Sequence, residues 1–230
     1  MTHRSNPLAV YVEAGKRYTV AGALEWPGWC RGGRSEEAAL RALIEYGPRY
    51  ERVMRAAGVS FQAPADMSPF EMVERLKGTG TTDFGVPDVA PSVDAAPVDD
   101  SELRHLQALL KACWAALDKA AQAADGKELR KGPRGGGRDL SGVVGHVTRA
   151  ETSYLRRLGG NPPGEKYEDD PAHVMEQQRQ LILGTLGPAA RGEVPPQGPR
   201  GGSRWTPRYF VRRAAWHILD HAWEIEDRVL

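Results

Sequence analysis

The chain has 230 residues, enough for one large domain or two small ones. Its 31 basic and 30 acidic residues leave a formal charge of +1, which excludes bulk attraction to nucleic acid or to an anionic membrane. Two cysteines allow one disulfide without implying it, and there is no apolar leader and no apolar run of about 18 residues, so a cytoplasmic chain is expected.

Val10 to Ala14 reads as a short strand. Gly15-Lys16 suits a two-residue turn, with Arg17 to Glu25 returning as the second strand. Trp26 to Trp29 is a turn, and Cys30-Arg31-Gly32 a short extended piece. Ser35 caps a helix that carries Glu36 and Glu37 in its first turn and Leu40, Leu43 and Ile44 on its apolar side. Gly47-Pro48 is expected to interrupt it, with Pro48 opening a second helix that ends near Gly58. Residues 59–98 read as a linker. Within it Phe70 to Leu76 alternates as an extra strand could, and Thr79 to Pro97 is rich in Gly, Pro, Asp and Thr.

The character changes at Asp99, which forms a capping-box-like start with Glu102. Leu103, Leu106, Leu110, Cys113 and Leu117 then recur at spacings of three and four. A second amphipathic helix begins near Asp139 and carries Leu140, Val143, Val144, Val147, Tyr154, Leu155 and Leu158. A third begins at Asp170-Pro171 and carries Val174, Met175, Leu181, Ile182 and Leu186. A fourth runs from Thr206, its N-cap, to Val229, with Phe210, Ala214, Ile218 and Ile225 on one stripe. Four such helices predict a four-helix bundle over 99–230, and the whole chain is α+β.

His217 and His221 lie one turn apart on the buried side of the last helix, and His146 flanks the Val143/Val147 stripe of the second. Three inward imidazoles need partners, and a divalent metal with a position left for water or substrate suits them. Glu224, one turn beyond His221, is a candidate to orient a histidine or act as a base; Glu151 and Asp220 are weaker candidates, and Arg213 is placed to pair with such carboxylates. His3, His105 and His173 suggest nothing, and Trp216 and Trp223 read as core aromatics. Two similar stretches, Gly132 to Arg138 and Gly198 to Arg204, precede the second and fourth helices, and their arginines could hold an anion. Cys113 sits in an apolar stripe and reads as inert packing.

The strand Tyr18 to Leu24, the Pro27-Gly28-Trp29 turn and the Gly33-Arg34-Ser35-Glu36-Glu37-Ala38 helix start resemble the HicB-like β-β-β-α fold over about residues 8–50. The resemblance implies a small scaffold or interaction domain at 8–58, in that family often an antitoxin paired with a separate toxin. The Arg138 to His146 stretch, followed by His217-Ile218-Leu219-Asp220-His221, resembles the DinB-like metalloenzyme superfamily over 99–230. That resemblance implies an up-down-down-up bundle and a histidine triad, His146, His217 and His221, binding zinc, nickel or iron. It also implies activities that include thiol-dependent transfer, so a low-molecular-weight thiol is the cosubstrate to expect, with Arg134, Arg138, Arg200 or Arg204 on its carboxylates. A hydrolase stays open, as does a non-catalytic, metal-stabilised scaffold; so does a homodimer.

Overall fold

A computed structural model describes residues 7–131, 137–162 and 171–230. They divide into two compact units, one ending at Asp94 and one beginning at Ala95.

In the first unit, β1 (Leu8–Ala14), β2 (Thr19–Ala23), β3 (Cys30–Gly33) and β4 (Phe70–Lys77) make one sheet in the order β3-β2-β1-β4. The first three pair antiparallel, and β4 pairs parallel to β1. The expected strand within 59–98 is therefore an integral edge of the sheet rather than part of a linker. Its alternation of half-buried and exposed residues is that of an edge strand with one covered face. The first hairpin turn is wider than Gly15-Lys16. Asp83 Oδ1 accepts from the backbone N–H groups of Arg17 and Tyr18, 2.6 and 3.2 Å away, so these groups are withdrawn from the ladder and β2 starts at Thr19.

The helix after Ser35 is one element, α1 (Glu36–Ala56), and Pro48 lies inside it. The expected break is overridden. Ala39, Leu43, Gly47, Tyr50 and Met54 are all buried at spacings of three and four, a stripe that needs one continuous axis. Burying it outweighs the roughly 3 kcal/mol that an interior proline costs. Trp29, between β2 and α1 in sequence, donates from Nε1 to the Leu43 carbonyl at 2.8 Å, and Tyr50 donates to the Pro27 carbonyl at 2.9 Å. Glu13 is wholly buried on β1, and its carboxylate accepts from the Thr82 hydroxyl and the backbone N–H groups of Asp88 and Val89. This carboxylate pins the 79–89 loop to the sheet, and burial holds its pKa above the ordinary value despite these donors.

Gly22 faces Tyr11 across the β1–β2 pair, and a Cβ there would sit 2.6 Å from the Tyr11 ring. Gly22→Val is expected to lower stability by about 1–3 kcal/mol, the usual cost of overpacking. A urea midpoint equal to wild type would mean that the Tyr11 ring swings clear.

The second unit is a bundle of α2 (Asp100–Ala123), α3 (Leu140–Leu158), α4 (Pro171–Ala190) and α5 (Pro207–Arg228). Asp99, Asp139 and Thr206 cap α2, α3 and α5, each side chain accepting a backbone N–H three residues on. Contacts at the helix ends fix the directions. Arg208 pairs with Glu102 at the starts of α5 and α2, and Arg130 N–H donates to the Arg228 carbonyl beyond their ends, so these two are parallel. Arg228 donates to the Arg138 carbonyl, while Trp205 N–H donates to the Arg157 carbonyl, so α3 and α5 are antiparallel. Thr152 meets Gln178, and Gly160 sits against Thr185, so α3 and α4 are parallel. The sequence of directions is up, down, down, up.

Helix α5 packs on both α2 and α3 and is buried on most of its surface. Its neighbour α4 contributes Ile182 and Leu186 to the core, but also the buried polar pair Gln178 and Arg179. No helix among the described residues is long and apolar enough to cross a membrane.

Candidate metal centre

His146 projects from the second turn of α3, and His217 and His221 project from successive turns of α5. Because the two helices run side by side, the three rings meet. Their centroids lie 5.0, 4.9 and 4.6 Å apart in edge-on pairs. One nitrogen from each lies within 4.8 Å of the others. The closest approach is Nε2 of His146 to Nε2 of His217, 3.2 Å. Two ligands at about 2.0–2.1 Å from a tetrahedral zinc stand roughly 3.3 Å apart, so this pair already has ligand spacing. The third ring needs a side-chain adjustment to close the set.

Two of the rings have lowered pKa values, which favours the neutral state in which imidazole offers a lone pair. Burial, first, and then the neighbouring charges of His221, Arg213, His146 and Arg138 push the pKa of His217 far below its ordinary value. Burial also lowers His146, helped by Arg138, His221 and Arg149.

His221 is oriented. Its Nδ1 lies 2.6 Å from Glu224 Oε2, which leaves Nε2 for the cluster. Glu224 in turn pairs with Arg228, and Arg228 donates to the backbone carbonyls of Arg138 and Arg130 at 2.7 and 2.9 Å. His221 and Arg228 hold the Glu224 carboxyl below the ordinary carboxylate range. The chain His221–Glu224–Arg228 ties the end of α5 to the start of α3, the two elements that bring the histidines together. A carboxylate on the distal nitrogen of a histidine fixes its tautomer and raises its basicity toward a metal.

His217 differs. It is 6 % exposed, and its Nδ1 is buried without an acceptor among the described residues. One turn earlier, Arg213 lies over the rings of Tyr154 and Trp216, 5.3 and 4.8 Å from their centroids, and its Nη1 is likewise buried without an acceptor. Leaving such a donor unpaired costs about 1–3 kcal/mol, more when it is charged. Arg213 thus pairs with aromatic faces, not with the carboxylates its spacing suggested.

The other candidates fall outside the cluster. Glu151 is five residues from His146, about 140° round the helix, and is buried where Trp114 Nε1 donates to it at 2.6 Å. Asp220 is not part of the three-histidine group. Arg204 is bound to the Pro195 carbonyl beside Trp205, at the far end of α3 from His146, and Arg200 is exposed. Arg138 and Arg149 do bear on the site, through their charge on His146. Arg134, most of the Gly132 to Arg138 stretch, His3 and Asp170 lie outside the described residues. Trp216 and Trp223 are buried, His173 is exposed against Gln177, and burial pushes the Cys113 thiol up, out of reach of neutral-pH chemistry. Sequence reasoning placed Tyr154 in the apolar stripe of its helix and missed its position beside His217, and it missed the place of Arg213 at the site. The spacing from Arg213 to His217 was the available signal.

No family model, curated protein or solved structure matches the chain. The likeness to the DinB-like and HicB-like families therefore stands on the quoted motifs, and the site is argued from its own atoms.

Proposed function

We infer that the bundle holds one divalent transition-metal ion, zinc, nickel or iron, on His146, His217 and His221, and that the protein is a metal-dependent enzyme acting at a coordination position these three leave open. The observation that carries this reading is the 3.2 Å approach of two imidazole Nε2 atoms from different helices, with the third imidazole turned toward them by Glu224. Imidazole donors suit these metals better than magnesium or calcium. Such an ion, when bound, lowers the pKa of a water or thiol at its open position.

The chain's own residues do the rest. His146 and His217 supply neutral donors, Glu224 fixes the His221 tautomer, and Arg138 and Arg149 make the approach attractive to anions. With Cys113 and Cys30 both buried, thiol transfer would use an external low-molecular-weight thiol, and hydrolysis would use water. The HicB-like resemblance supports a partner-binding role for the N-terminal unit, and a metal-stabilised scaffold is the reading that remains if the metal has no open position.

The test has two parts. Protein purified without a chelator or a nickel column should contain about one ion per chain. Glu224→Gln should weaken its zinc affinity by about 10- to 100-fold, the usual effect of losing the carboxylate behind a ligating histidine. Equal affinity in the variant would remove Glu224 from the site.

A further inference from the structure

Two of the three histidines are treated differently by the fold. His221 has a carboxylate, Glu224, on its distal nitrogen. His217 has none among the described residues: Nδ1 is buried and unpaired there, and with Nε2 turned to the cluster it is the atom that carries the proton of a neutral ring. The second buried donor without an acceptor, Arg213 Nη1, is on the preceding turn of the same helix face. Both side chains share the same two aromatic neighbours. Tyr154 and Trp216 flank the guanidinium, and their ring centroids are 5.8 and 6.0 Å from that of His217. Aromatic faces satisfy the guanidinium plane but offer nothing to N–H groups at its edge.

Among the described residues, two candidate carboxylates are committed elsewhere. Glu224 is held by His221 and Arg228, and Glu151 by Trp114. A cationic donor and a neutral one on successive turns of one helix face, both beside Tyr154 and Trp216, suit one negatively charged oxygen-bearing group.

We propose that a small exogenous oxyanion, a carboxylate or a phosphate group, binds between Arg213 Nη1 and His217 Nδ1 and serves His217 as Glu224 serves His221. The inference rests on the metal reading for its consequence, which is thermodynamic linkage. The anion raises the basicity of His217 toward the metal, so anion and metal each tighten the binding of the other by the same factor. The metal site is then loaded fully only when the anion, part of a substrate or a separate ligand, is present.

The experiment measures zinc affinity of the full chain by competition with a chromophoric chelator, in an anion-poor buffer, with millimolar acetate, and with millimolar inorganic phosphate. The wild type should bind zinc about 10- to 100-fold more tightly with one of the two anions, and which one identifies the source chemistry. Arg213→Gln removes a positive charge beside His217 and so sets its own zinc affinity in anion-poor buffer, but it should gain nothing over that value from either anion, and Arg213→Lys, which keeps the charge, should recover part of the gain. Unchanged wild-type affinity in both anions overturns the proposal. So does an equal gain in Arg213→Gln, which would place the anion on the metal itself. If the wild type takes up no zinc, the metal reading fails separately. Calorimetry of acetate and phosphate on the metal-free chain then decides the anion pocket alone, with loss of binding in Arg213→Gln supporting it and binding that is absent or unaltered by the substitution refuting it.

Discussion

Replacing His146, His217 and His221 together with alanine should take the bound metal from about one ion per chain to none. The expectation follows from where the ligands stand. Two come from one helix at a spacing fixed by its geometry, and the third comes from a neighbour running antiparallel to it. A structural zinc bound by four ligands contributes about 10–16 kcal/mol, or roughly 3 kcal/mol per ligand, so each single replacement should weaken binding on the order of 100-fold. Because an ion that binds only the folded chain stabilises it by about 2.7 kcal/mol at a hundredfold excess over Kd, added zinc should raise the wild-type melting temperature and leave that of the triple variant unmoved. Elemental analysis after loading and desalting gives the stoichiometry. The same metal content in wild type and triple variant would place the ion elsewhere and remove the site argued above.

The helices of the bundle were readable because each carries its own punctuation. Asp99, Asp139 and Thr206 are caps in the sequence and caps in the structure. What misled was local chemistry overruled by packing. Pro48 is a fair helix breaker until the stripe from Ala39 to Met54 is buried as one surface. The parallel pairing of β4 with β1 was not legible, because no local signal names a partner some sixty residues away. At the site, the four-residue histidine spacing and the inward side of His146 were visible, and the same helical angles that join Arg213 to His217 also turn Glu151 away. The missing acceptors of His217 and Arg213 were not visible, because an unpaired donor exists only once the surroundings are built.

Glu151→Gln should stabilise the protein at pH 8 and leave it unchanged near pH 4. Glu151 is 1 % exposed in the bundle core. Its pKa is pushed up from 4.5 to about 7, chiefly by burial, against the Trp114 hydrogen bond and the positive charge of Arg179, and with a further push from Asp118. Arg179 spends its own charge on Asp118, held by two contacts of 2.7 Å, so it does not neutralise Glu151 as a partner would. With a raised acid pKa the sign runs against alkaline stability. Below pH 4.5 the carboxyl is protonated in both folded and unfolded chains and costs nothing. Between 4.5 and about 7 the unfolded chain releases a proton that the folded chain keeps, so stability falls as pH rises. Above 7 the loss is complete, about 3 kcal/mol. Glutamine keeps an oxygen for Trp114 Nε1 and never ionises. The Trp114 hydrogen bond is already included in that pKa, so the gain at pH 8 is the whole loss, about 3 kcal/mol. Every other residue is common to both proteins, so the difference between them isolates Glu151. Urea titrations from pH 4 to 8 should give curves that coincide at the acid end and separate through pH 4.5–7. A variant weaker than wild type at pH 8 would show that the ionised carboxylate is held by Arg179 after all, and that the core network depends on its charge.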